Sequence, residues 1–237
     1  MQTHFTLADG NQEGQNRMIK AVFFDANGII YYRQENNRYL NEFLQKYNLA
    51  IPPEEKLALD NNSLQDASLR GLISQEVLWN AILRTCGVSE MLWSEGRDAI
   101  HQDHGNITVF PGVIKTLSAL KAHGYKVGIV TDAAVSKETK LAWFHEQGLD
   151  IHWDAYANSM DLRTRKPDVR MFNAALEEAG VSANEAAFVG HDAVELDGAR
   201  HAGLSTVAFN YDPGVEADYY IDSFEELLNL PYFQKVG

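Results

Sequence analysis

Side chains able to attack an electrophile, hold a cation or move a proton recur in this chain directly after short apolar runs. Asp25 closes Lys20-Ala21-Val22-Phe23-Phe24 and precedes Ala26-Asn27-Gly28. Thr131-Asp132 closes Lys126-Val127-Gly128-Ile129-Val130, and His191-Asp192, with Glu195 close behind, follows Ala186 to Gly190. Arg165-Lys166 stands before Pro167-Asp168. A carboxylate at the end of a strand can serve as a nucleophile or can cap the helix that follows. Thr131 has the same choice between chemistry and capping. Lys166 is otherwise a solvated loop lysine, and Asp192 and Glu195 are otherwise first-turn acids favoured by a helix dipole.

The elements that would position these residues can be read from periodicity. Strand-like runs cover Lys20–Asp25, Lys126–Asp132, Ile151–Ala157, Ala186–Gly190 and Ser205–Asn210. Helical three- and four-residue spacing of apolar residues covers Val113–Ala122, Glu138–Glu146, Val169–Glu178 and Leu196–Ala202. Gly124, Gly148, Gly180 and Gly203 punctuate the ends, as helix-terminating glycines do. Alternating strands and helices with continuously apolar strands predict an α/β, Rossmann-like doubly wound parallel sheet. Ligands bind such sheets beyond the carboxyl ends of the strands, where Asp25, Thr131 and the His191-Asp192 segment fall. Phe224–Leu230 reads as a closing amphipathic helix.

From Gln34 to Gly105 the strand pattern stops. Only helical patterning remains, over Arg38–Tyr47, Pro53–Ala58, Ser74–Leu83 and Leu92–Ile100. An inserted all-helical unit of roughly 70 residues is expected there, as a separate lobe. The expected organisation is a polar extension over residues 1–17, an α/β core over 18–33 and 106–237, and the helical insert over 34–105. Met18 is a plausible alternative start.

Taken in order, these motifs resemble those of the haloacid dehalogenase-like hydrolase superfamily. Phe23-Phe24-Asp25-Ala26-Asn27-Gly28 is similar to its first motif, Ile129-Val130-Thr131-Asp132 to its second, and Arg165-Lys166-Pro167-Asp168 to its third. Phe188-Val189-Gly190-His191-Asp192 through Glu195 to Gly198-Ala199 is similar to its fourth. The helical insert matches the cap that many members carry between the first two motifs. The resemblance implies a hydrolase with Asp25 as covalent nucleophile, acting as a phosphatase on a small phosphorylated metabolite. It implies Mg2+ held by Asp25, the backbone carbonyl of Asn27, and Asp192 or Glu195. Lys166 would neutralise nucleophile and substrate oxygens, and Thr131 would hydrogen-bond the transferring group. Asp132, Tyr32 and, in the cap, Arg70 are the further candidate substrate contacts; Tyr31 to Arg33 could equally be exposed loop residues.

Two positions depart from the family pattern. The family's phosphatases carry a second Asp where this chain has Asn27, which cannot serve as general acid and base; that assistance is typically worth about 10²–10⁴-fold. His191 stands where an acid is usual, and could bind metal or orient a neighbour. Asn27 is compatible with carbon–halogen hydrolysis, which needs no leaving-group acid. Asn27 and His191 together also suit a degenerate, non-catalytic binding protein.

Composition narrows the partners. The formal net charge of −13 and scattered Lys and Arg argue against nucleic acid. No run of 18 apolar residues exists, which argues against a membrane span. The first 17 residues lack the basic start and apolar run of a secretory signal, and the single cysteine, Cys86, fits a reducing compartment, so a cytoplasmic location is expected. His101, Asp103 and His104 read as a solvated helix end, and Cys86 as a packed thiol. Walker, dinucleotide-binding, zinc-protease and Cys-x-x-Cys signatures are absent from the sequence.

Overall fold

The computed structural model describes residues 18–233. The expected 1–17 extension lies outside them. Strand β1 (Ala21–Phe24) is the centre of a parallel sheet. It pairs with β4 (Lys126–Thr131) on one side and β6 (Ala186–Gly190) on the other. Beyond β4 lies β5 (Ala155–Asn158), and beyond β6 lie β7 (Ser205–Phe209) and β8 (Tyr219–Ile221). The order β5-β4-β1-β6-β7-β8 puts the carboxyl ends of β4, β1 and β6 side by side.

Both faces of the sheet are covered, which is why its strands are continuously apolar. Val22 and Phe24 point into one cluster with Ile129, Val189 and Val207. That face is covered by α5 (Val113–Ala122), α6 (Lys137–Glu146) and the 3-10 turn Phe224–Asn229. Ala21 and Phe23 point into the other, with Val130, Phe188 and Ala208 beneath α8 (Val169–Ala179) and α9 (Ala193–His201). A short α7 (Ser159–Leu162) follows β5 directly. Phe23, Phe24 and Phe188 are fully buried, a gain of about 1.5–3 kcal/mol each.

The chain leaves β1 through β2 (Tyr31–Tyr32) and returns through β3 (Thr108–Val109), and the two pair antiparallel. Between them run α1 (Arg38–Lys46), α2 (Glu54–Leu69), α3 (Gln75–Thr85) and α4 (Trp93–Gly105). These helices share a cluster of their own, built on Leu40, Phe43, Leu44, Leu78, Trp79 and Leu83.

Several expectations need correction. The third strand begins at Ala155, four residues later than the apolar run, because Trp153 and Leu149 pack as loop residues against α6. Helix α2 runs through Leu69 and not only to Ala58, because its buried residues include the polar Asn61 and Ser68 and so leave no apolar stripe to read. The closing helix is a 3-10 turn. Asp103 is not solvated. It is buried and accepts hydrogen bonds from the backbone N–H groups of Tyr39 (2.9 Å) and Leu40 (3.0 Å), which caps α1 from a distant helix. The expected glycine stops hold: Gly124, Gly148, Gly180 and Gly203 all take left-handed backbone.

Candidate active site

Asp25 lies one residue past β1, with its backbone N–H donating to Val189 C=O of the neighbouring β6. The strand thus delivers a carboxylate to the end of the sheet, where it is buried. Gly28 makes the turn beyond it with φ of +83°. A Cβ at Gly28 would sit 2.9 Å from His191 Nε2, so the glycine both allows the backbone and admits the imidazole.

Lys166 joins the site from the loop before α8. Its Nζ donates to Asp25 Oδ1 at 2.6 Å and to Glu195 Oε2 at 2.7 Å, and its side chain is almost completely buried. The loop carrying it is held by Asp132, which accepts from Lys166 N (3.1 Å) and from Arg165 Nε (3.1 Å). Arg165 in turn reaches Asp66 on α2 at 3.1 Å, an ion pair between the helical segment and the sheet side of the cleft. On the other side of Asp25, His191 Nε2 stands 3.7 Å from Oδ2.

Charge in this cluster is unevenly shared. Burial by itself raises the Asp25 carboxyl, but the Lys166 ammonium and the neighbouring His191 hold it below the usual carboxylate range. Burial would lower Lys166, and the charges of Asp25, Glu195 and Asp132 outweigh it, so the ammonium is held more tightly than in water. Glu195 receives the remainder. Burial pushes it up, Asp25 and Asp132 add to this against Lys166, and it titrates at about 7. His191 is raised by its polar contact with Asp25.

The residues singled out from sequence divide cleanly by position. Asp25, Asn27, Thr131, Asp132, Lys166 and Glu195 line one cleft of ≈ 540 Å³, together with His191. Three do not line it. Asp192 is exposed and spends its Oδ1 on the N–H groups of Val194 (2.8 Å) and Glu195 (3.1 Å), the N-cap of α9. Tyr32 packs its ring on Phe110, at 4.8 Å between centroids, while its neighbour Tyr31 faces the cleft. Arg70 turns to Asp66, at 2.8 Å.

Sequence reasoning also missed a residue that matters here. Lys140 is buried and donates to Thr131 Oγ1 at 3.1 Å. Its spacing could have betrayed it, since Lys140, Trp143 and Phe144 form one buried face of α6 and a lysine there needs a polar reason. Arg33, left open by the sequence between a substrate contact and an exposed loop residue, lines the cleft and donates to His104 C=O at 3.1 Å. His104 lies against the same wall, with burial first and Arg33 second holding it down at about 4, so it is neutral.

A divalent cation can be tested against these donors. Among the described residues, no three His, Cys, Asp or Glu side chains form a metal-holding group. Magnesium is commonly held by one or two carboxylates with substrate oxygens and waters completing its shell. Asp25 and Glu195 are two such carboxylates sharing a single ammonium, and Glu195 is raised first by its burial and then by Asp25. That donor set fits a hard divalent cation; Asp192, turned into its helix, is not part of it.

The fold, the buried Asp25–Lys166 pair and the motif order agree with the family model described as haloacid dehalogenase-like hydrolase, which matches residues 22–209. The chain belongs to this family. The haloacid dehalogenase-like hydrolases similar to it have been given different activities. A glyceraldehyde 3-phosphate phosphatase of Methanocaldococcus jannaschii is 32% identical over 232 residues, covering 90% of this chain and 97% of that one. An (S)-2-haloacid dehalogenase 4A of Burkholderia cepacia is 32% identical over 114 residues, 48% of either chain. Among solved structures, a 2-haloacid dehalogenase from Pseudomonas syringae superposes with a TM-score of 0.69 at 24% identity, covering 90% of this chain and 97% of that one, which shows the shared fold. Among the described residues no helix is long and apolar enough to cross a membrane.

Proposed function

We propose that this haloacid dehalogenase-like hydrolase is a magnesium-dependent phosphatase of small phosphorylated metabolites that works through an aspartyl-phosphate on Asp25. The observation that carries the reading is the 2.6 Å pairing of a buried, ionised Asp25 with Lys166 at the carboxyl end of the central strand. The similarity to a glyceraldehyde 3-phosphate phosphatase along 90% of this chain supports phosphorus as the centre attacked.

In this reading a carboxylate oxygen of Asp25 bonds to phosphorus as the bond to the leaving oxygen breaks. Lys166 holds Asp25 in place and offsets charge on the phosphoryl oxygens, and Thr131, oriented by Lys140, hydrogen-bonds one of them. Water then attacks phosphorus, releasing phosphate and restoring Asp25. Asp25, the Asn27 carbonyl and Glu195 would hold Mg2+, which when bound offsets the repulsion between carboxylate and phosphate. Asn27 lines the site but has no proton to give, so substrates whose leaving oxygen is already a good leaving group are favoured.

The test is release of para-nitrophenol from its phosphate with Mg2+ present. Turnover that disappears in Asp25→Ala is expected, and turnover equal in the two proteins would end the reading. A second reading, carbon–halogen hydrolysis, is favoured by Asn27, because halide leaves without a proton. It would be adopted if 2-chloropropionate released chloride and no phosphate ester were cleaved.

A further inference from the structure

The cleft extends well beyond the reacting groups, and its far wall comes from the helical segment. On α3, Gln75 and Trp79 stand four residues apart on one helix face, and both line the cleft that holds Asp25. Trp79 is 9% exposed. Its Nε1 and the Nε2 of Gln75 are both buried and have no hydrogen-bond partner. Buried donors in native proteins are nearly always paired, so two unpaired ones a single turn apart on a ligand cleft mark a place where a ligand supplies the acceptor.

The chemistry of that acceptor can be narrowed. An indole nitrogen only donates, and the unpaired atom of Gln75 is likewise its donor. A hydroxyl can accept from these donors but brings no charge to meet a cation. A cation stands close by: Arg33 lines the same cleft and donates to His104 C=O, and the His104 ring lies 5.5 Å from that of Trp79. Glu54 is the only acid the helical segment gives to the lining, and it is exposed. Leu78, Ile82 and Trp143 supply apolar surface around these groups.

We propose that Gln75, Trp79 and Arg33 form a second subsite that takes a carboxylate borne on an apolar or aromatic body, at the leaving-group end of the substrate. The assignment of that end rests on the phosphatase reading above; the subsite itself does not. It replaces Arg70 as the reader of substrate in the helical segment.

The test is calorimetric binding of phenylphosphonate and para-carboxyphenylphosphonate to the full chain, wild type, Trp79→Phe and Gln75→Leu. Neither probe can be hydrolysed. The wild type is expected to bind the carboxylated probe roughly tenfold more tightly or better, consistent with hydrogen bonds to a charged group. The advantage should shrink severalfold in Trp79→Phe, which keeps an aromatic ring and loses only the N–H. Equal affinities in the wild type, binding of neither probe, or an advantage undiminished in both variants would overturn the subsite. If a variant does not fold, the comparison of probes in the wild type still decides. Failure of the enzyme to cleave para-nitrophenyl phosphate, with the carboxylate preference intact, would remove the phosphatase reading and leave the subsite standing.

Discussion

At position 27 this chain places an amide among groups otherwise suited to covalent hydrolysis. Asn27 lines the cleft with Asp25, Lys166 and Glu195 and can hydrogen-bond, but cannot shuttle a proton. Asn27→Asp should therefore raise turnover of an alkyl phosphate by roughly 10²-fold or more, with a smaller gain for para-nitrophenyl phosphate, whose leaving group needs little help. Steady-state rates on the two substrates check this. Glu195 carries a second prediction. Its carboxyl is pushed up to about 7, first by burial and then by Asp25 and Asp132. The folded chain thus holds a proton on Glu195 where the unfolded chain has released it. The stability this contributes is full below the ordinary glutamate range and is lost as pH rises through about 7. Magnesium held at Glu195, as proposed, would compete with that proton. Its stabilisation of the fold should be larger at roughly pH 8 than at roughly pH 6, and Glu195→Gln should flatten the difference; melting curves with and without the metal measure both.

Helix α9 shows how an element can claim a residue that a motif would assign elsewhere. Asp192 and Glu195 are both acids of the fourth motif, but the first turn of α9 needs its N–H groups satisfied, and Asp192 does this. Glu195, three residues on, faces Lys166. Asp192→Ala should cost about 1 kcal/mol in stability through loss of the cap and leave magnesium affinity unchanged; urea unfolding and metal titration separate the two roles. The strand ends were legible for a simple physical reason. β1, β4 and β6 are buried on both faces and so appear as unbroken apolar runs, each delivering its polar residue to the same edge. Lys140 was hidden because a single lysine on α6 looks solvated unless its spacing from Trp143 and Phe144 is weighed. Strand β8 was hidden because Tyr219–Ile221 is three residues long. Helix α2 lacks an apolar stripe because part of it lines a polar cleft, with Glu54, Asn61 and Gln65 on that wall.

Over the whole molecule, apolar residues gather on the two faces of the sheet and in a third cluster among α1–α4. The helical segment touches the sheet side through polar bridges such as Asp66–Arg165 and Ser159 Oγ to Leu69 C=O (2.6 Å). If residues 34–105 form a cap with a core of its own, Leu83→Ala should cost about 2–5 kcal/mol locally. Amide exchange should then speed up in α1–α4 while β1, β4 and β6 keep their protection; equal loss in both would mean one cooperative unit. Substrate choice was the least legible feature in the sequence, because it depends on which side chains α3 and β2 turn inward across the cleft. Gln75 and Trp79 have no motif to announce them. Whether a carboxylate oxygen of Asp25 forms the covalent intermediate is decided by acid-quenching the enzyme during turnover of para-nitrophenyl phosphate with Mg2+ and sequencing its peptides by mass spectrometry. A phosphoryl group on Asp25, removed by hydroxylamine and missing from Asp25→Ala, is the result this structure predicts. Phosphate release at full rate with Asp25 unmodified and replaceable by alanine would contradict it.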